Sequence, residues 1–222
     1  MNLLLTSDFP STANDAVVAR IRAVCPSPRV AWVAPSTSTG RARFPAAQAV
    51  FRSFGVADLE YCDIDNEPKV TQLSLLDRYD AVYLSGGDPL IFRNSIRRIG
   101  LGEGLREFAA AGRLIVGASG GAMQLTSNVS LFRLLSETLD AVVAARHEFG
   151  GLEIVGYEIL PHLNKHDASF LEKVRRYSEL VPAEVVAVED GAALIIDGSG
   201  DCKCVGVAVR FRGGVQGPVE PA

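Results

Sequence analysis

Histidine is scarce in this chain, with three residues among 222, beside one tryptophan, two methionines and four cysteines. The thiols Cys25, Cys62, Cys202 and Cys204 leave one close pair, Cys-x-Cys, which is neither a disulfide framework nor a zinc spacing. That pattern suits a reducing, cytoplasmic setting. Positive charge is short as well: 22 Lys and Arg against 26 Asp and Glu give a net charge of −4. No nucleic-acid or anionic-membrane partner is expected from such a balance. No apolar run approaches the roughly 20 residues of a membrane helix, and the opening MNLLLTSDFP lacks the basic segment of a secretory signal. It reads as a first strand. Repeats, linkers and low-complexity tracts are missing too, so the chain is read as a single domain over residues 1–222. Its Gly- and Pro-containing end, residues 213–222, is expected to be frayed.

What is present is an alternation. Short apolar runs at 3–6, 30–35, 59–64, 81–85 and 114–118 read as strands buried on both faces. Helical patterns lie between them at 13–24, at 45–54 with Pro45 in the first turn, and at 101–111 with Gly112 as the stop. A β-rich run at 152–160 and a helix from about Asp167 to Leu180 follow. Runs at 184–188, 192–196 and 205–212, parted by turns, are expected to close one sheet edge antiparallel. The order predicts an α/β fold, with a mostly parallel central sheet and helices on both faces.

Residues 114–123 read LIVGASGGAM, a strand that passes directly into glycines around Ser119. This matches G-x-S-x-G, in which a tight strand–turn–helix presents a nucleophilic serine at the tip. A second strand ends in paired glycines at YLSGGDPL, residues 83–90. Backbone N–H groups of Gly87 and Gly120 are the expected donors to a developing oxyanion. Gly86 and Asp88, in the same loop, are expected at the substrate.

A serine nucleophile needs a base, and there are three histidines to choose from. His162 follows an apolar run in EILPHLNKH and is the expected base. His147 lies in the polar AARHEFGG. His166, four residues after His162, is expected near the Asp167 helix start or on the substrate pocket. The H-x-x-x-H spacing lacks the glutamate of zinc-protease helices and a third ligand, so no metal and no cofactor is expected.

Taken together these segments resemble the peptidase E (aspartyl dipeptidase) and cyanophycinase family of serine peptidases. The resemblance rests on LLLTS at 3–7, LSGGDPL, GASGGAM, LPHLNKH and VEDGAALIIDG at 188–198, in that order over nearly the whole chain. It implies a three-layer α/β/α sandwich similar to the class I glutamine amidotransferase domain, with serine in place of cysteine. Two departures stand out: Gly120 replaces the usual alanine, and the GG loop continues Asp-Pro rather than Asn-Thr.

The resemblance also implies an acidic residue between the elbow and the histidine to orient the imidazole. The first after Ser119 is Glu137, which spacing from the serine favours. Spacing back from His162 favours Asp140, and a Ser–His dyad without an acid is the third arrangement. The implied substrates are small peptides, above all α-aspartyl dipeptides, Asp-X. Their carboxylate requires a cation, for which Arg93, Arg133, Lys165, Arg175 and Arg176 are available. The other readings are a non-peptidase serine amidase or esterase, and a binding module without turnover. The chain is expected as a monomer or homodimer.

Overall fold

Successive apolar side chains in the central strands point to opposite faces, and the core divides accordingly. The computed structural model describes residues 1–8, 15–24, 27–35, 37–64, 76–198 and 202–222. Its strands are β1 (Asn2–Thr6), β2 (Arg29–Val33), β3 (Asp58–Cys62), β4 (Ala81–Leu84), β5 (Leu114–Ala118), β6 (Glu158–Leu160), β7 (Val185–Val188), β8 (Ala193–Ile196), β9 (Cys202–Val205), β10 (Ala208–Arg212) and β11 (Val215–Pro218). The helices are α1 (Asp15–Arg22), α2 (Thr37–Ser53), α3 (Pro89–Ile99), α4 (Leu101–Ala110), α5 (Gly120–Gln124), α6 (Leu139–Ala144) and α7 (Ala168–Leu180).

Leu4, Trp32, Tyr83 and Val116 pack on one face of the sheet, against Ile21 of α1 and Ala47 and Phe51 of α2. Leu3, Leu5, Val33, Leu84 and Ile115 pack on the other, against Phe92 and Ile96 of α3 and Leu105 and Phe108 of α4. Burial on both faces is why these strands are apolar throughout. Five strands run parallel in the order β3-β2-β4-β5-β1, and β8 and β9 extend the sheet antiparallel beyond β1. This is the expected α/β architecture, a mostly parallel central sheet with helices on either side.

Several boundaries differ from the sequence reading. Helix α2 starts at Thr37 and carries Pro45 inside it rather than in its first turn. The proline costs one intrahelical hydrogen bond, and it is exposed on the helix surface. The expected helix at 13–24 is shorter, since α1 covers Asp15–Arg22; residues 13 and 14, like Cys25, lie outside the described residues. In the run 152–160, β-structure is confined to β6. Upstream of it, Leu152 and Ile154 donate instead to carbonyls of α5 and the residue after it, Gln124 and Leu125.

The ending is not one antiparallel edge. Strands β7, β10 and β11 join β6 in a separate four-stranded sheet, order β11-β10-β7-β6, in which β6 and β7 are parallel. The run 205–212 breaks at Gly206, where φ is 89° and the chain passes from one sheet to the other. The last ten residues are paired rather than frayed. β11 lies along β10, Val219 is buried, and the Cys204 backbone exchanges hydrogen bonds with Glu220 O and Ala222 N at 2.8 and 2.9 Å.

Candidate functional site

β5 lies between β1 and β4, with Gly117 level with Leu5 on one side and Leu84 on the other. The chain leaves β5 at Ala118 and turns at once into α5, so Ser119 stands at the sheet's C-terminal edge. Its backbone has φ 50° and ψ −117°, a strained conformation for a residue with a side chain. Two bonds hold it there: Ser119 N–H donates to Thr6 O at 2.9 Å, and Met123 N–H donates to Ser119 O at 3.1 Å. Glycine at 120 and 121 follows from close approach, because a Cβ would press into Gly87 O at the first position and Leu84 O at the second.

His162 follows β6, also with a left-handed backbone, φ 62° and ψ 37°. Its Nε2 lies 3.0 Å from Ser119 Oγ and its Nδ1 lies 2.6 Å from Asp190 Oδ1. An ionised carboxylate only accepts, so Nδ1 carries the proton and Nε2 is left to accept from the serine hydroxyl. Asp190 follows β7, the parallel neighbour of β6, which explains how two loops so far apart in sequence meet. Ser7, at the end of β1, ties them together. Its hydroxyl accepts from His162 N–H at 2.6 Å and donates to Asp190 Oδ1 at 2.8 Å.

The rest of the Asp190 environment is polar. Lys165 Nζ lies 2.6 Å from Oδ2, and Asp190 N–H donates to Asn164 Oδ1 at 3.0 Å. Burial by itself would raise the Asp190 carboxyl; hydrogen bonds from Lys165, His162 and Ser7 outweigh it and hold the group at about 2. It is therefore ionised at neutral pH.

Neither carboxylate expected beside His162 is there. Glu137 forms a paired contact with Arg133, Oε1 to Nε at 2.7 Å and Oε2 to a terminal nitrogen at 2.5 Å. Asp140 is exposed in the first turn of α6, where a negative charge is favourable at a helix N-terminus. After α5 the chain runs through the 3-10 turn Ser130–Leu135 and leaves the sheet edge, carrying both acids with it. A bare dyad is not what is found either, since Asp190 occupies the position. The signal was in the sequence: VEDG puts an acid just past an apolar run, as PH does for the histidine.

His166 is turned away, stacked on Phe170 at 4.4 Å between ring centroids and donating from Nε2 to Pro161 O at 3.1 Å. It does not line the cavity at Ser119, so the substrate role considered for it is not supported. His147 is exposed, with Nδ1 3.2 Å from Ala144 O. Asp88 caps α3, accepting from Leu90 N and Ile91 N at 2.8 and 3.1 Å, which accounts for the Asp-Pro departure as a helix start. Among the described residues no group of three or more His, Cys, Asp or Glu side chains is placed to hold a metal ion, and no helix is long and apolar enough to cross a membrane.

A cavity of about 610 Å³ opens beside Ser119 and His162, bordered by Gly86, Gly87 and Asp88. None of the five cations considered from sequence lines it. Arg93 donates to Gly150 O and Glu148 O, Arg133 pairs with Glu137, Lys165 with Asp190 and Arg175 with Glu172, while Arg176 is exposed on α7. The cation on the described cavity wall is Arg43 of α2, two residues before the helix expected at 45–54.

The model of peptidase family S51 matches residues 3–201. An uncharacterized peptidase of Listeria monocytogenes is 25% identical over 165 residues, covering 73% of this chain and 78% of that protein. An uncharacterized peptidase of Pasteurella multocida is 24% identical over 115 residues, half of this chain and 54% of that one. Among solved structures, one assigned to peptidase E from Listeria monocytogenes EGD-e superposes with a TM-score of 0.68 at 22% identity, over 95% of this chain and 98% of that chain. A peptidase from an acI-B1 actinobacterium superposes with a TM-score of 0.73 at 18% identity, over 100% and 94%.

Proposed function

The chain belongs to peptidase family S51 and is a serine-type hydrolase, and from that premise we propose that Ser119, His162 and Asp190 form its catalytic triad. The observation that carries this is the continuous line of contacts from Ser119 Oγ to His162 Nε2 at 3.0 Å and from His162 Nδ1 to Asp190 Oδ1 at 2.6 Å.

In this reading His162 takes the serine proton as Oγ attacks the scissile carbonyl, and Asp190 stabilises the imidazolium that results. The N–H groups of Gly87 and Gly120 receive the oxyanion; Gly87 borders the cavity beside Ser119, and the Gly120 backbone packs directly against Gly87, which supports this pairing. As the tetrahedral intermediate collapses, the C–N bond breaks and the imidazolium returns its proton to the leaving amine. Water, deprotonated by the same imidazole, then cleaves the acyl-serine ester and restores Ser119.

The substrates are small peptides, and α-aspartyl dipeptides are the specific proposal. Arg43 supports it as the cation at the cavity, and it replaces the basic residues considered earlier. The test is a dipeptide panel, Asp-X against Asn-X, on wild type, Ser119→Ala and Arg43→Ala. Loss of all turnover in Ser119→Ala is expected, with a selective loss of Asp-X turnover in Arg43→Ala. Equal cleavage of Asp-Leu and Asn-Leu by wild type sinks the acidic preference and leaves the triad standing.

A further inference from the structure

The cavity at Ser119 continues beneath helix α2, away from the reacting atoms. Its depth can be read from strand register. Ser85 borders it at the sheet edge and Tyr83, two residues back along β4, borders it too, level with Trp32 of β2. Two strand residues span roughly 6.6 Å. The Trp32 and Tyr83 rings lie 4.6 Å apart between centroids and form the wall on the sheet side. On the helix side Arg43, Ala46, Ala47 and Val50 fall on one face at three- and four-residue spacing. Alanine at 46 and 47 cuts that face back and opens the space.

The charges are not spread evenly along this slot. Thr39 and Gly40 border the slot at the start of α2, Arg43 follows, and Ala47 and Val50 lie one and two turns beyond Arg43. Asp8 and Asp88 border the cavity too, and both carboxylates already accept backbone hydrogen bonds, from Gly191 and from the start of α3. Past Arg43 the described walls are aromatic and aliphatic. A charged side chain pushed that far would lose its water without gaining a partner, whereas an apolar one gains by leaving water. A volume of about 610 Å³ falls within the usual range for small-ligand sites.

We propose that this slot is a specificity pocket for a large apolar side chain flanking the scissile bond, so that the preferred substrates carry leucine, phenylalanine or a side chain of similar size there. The inference rests on the peptidase reading and adds to it: Arg43 serves a carboxylate, and the Trp32–Tyr83 wall with Ala46, Ala47 and Val50 serves an apolar side chain in the same cavity.

The experiment compares Asp-Leu and Asp-Phe with Asp-Ala and Asp-Lys, and Leu-Ala and Phe-Ala with Ala-Ala. Leucine or phenylalanine should exceed alanine by about tenfold or more in kcat/KM at one of the two positions. In Ala46→Phe, whose side chain would project into the slot from an exposed helix position, that ratio should collapse towards one. Labelling of wild-type Ser119 with a small fluorophosphonate reads the nucleophile without regard to side-chain pockets. A wild type that takes the label and cleaves peptides with no gain for large side chains at either position overturns the pocket alone. So does a folded Ala46→Phe variant that keeps the full ratio. A wild type that neither takes the label nor cleaves any peptide overturns the peptidase reading together with the pocket.

Discussion

Ser7 Oγ donates to Asp190 Oδ1 at 2.8 Å and accepts from His162 N–H at 2.6 Å, so one fully buried hydroxyl fixes both the acid and the backbone of the base. The His162 backbone is left-handed, a conformation that needs such support. Ser7→Ala should lower kcat by about 10- to 150-fold, the worth of one hydrogen bond to a charged group, with KM little changed. Steady-state kinetics on a dipeptide check this, and an unchanged kcat would make Ser7 a packing residue.

The two acids should part company under mutation. Asp190→Asn leaves the shape of the side chain but supports the wrong imidazole tautomer, and kcat should fall by about 10⁴. Glu137→Gln removes the carboxylate partner of Arg133 and should leave kcat within about twofold, with little change in stability. Denaturation curves and kinetics on both variants decide it; the reverse pattern would return the acid to Glu137.

Stability should respond to Asp190 in acid. The folded-state carboxyl sits at about 2, against about 3.9 for an unperturbed aspartate, so folding favours the ionised form. The contribution is fully present above about pH 4 and is lost as pH falls towards 2. Urea unfolding at pH 5, 4 and 3 should show the gap between wild type and Asp190→Asn narrowing as pH drops. A gap that stays constant would mean the carboxylate gains nothing from Lys165, His162 and Ser7.

The nucleophile itself is a site of stored strain. At φ 50° and ψ −117° a side chain is costly, so Ser119→Gly should raise the stability of the fold by about 1 kcal/mol while abolishing turnover. Thermal or chemical denaturation tests it. A destabilised glycine variant would show that the serine's contacts outweigh its backbone cost.

The parts of the site that were legible in sequence share one signature, an apolar strand ending in a residue with chemistry. Ser119 and His162 were found that way, and so was the parallel set from β1 to β5, because burial on both faces leaves an unbroken apolar run. Asp190 bears the same signature. It lies beyond the histidine, whereas the stretch between serine and histidine, where the family resemblance implies the acid, carries Glu137 and Asp140 away from His162. Whether residues 184–188 join the first sheet or a second one depends on partners far along the chain, to which strand periodicity is blind. Arg43 was hidden by Pro45, which reads as a helix start and here lies inside α2.

The proposed triad and its Ser7 brace come from positions 7, 119, 162 and 190, contributed by two different sheets. On a ribosome these groups emerge one at a time, and the serine appears well before its base and its acid. In the proposed triad, therefore, no polypeptide that ends short of residue 190 contains the nucleophile, the base and the acid together, and the order of the strands fixes the order in which they are synthesised.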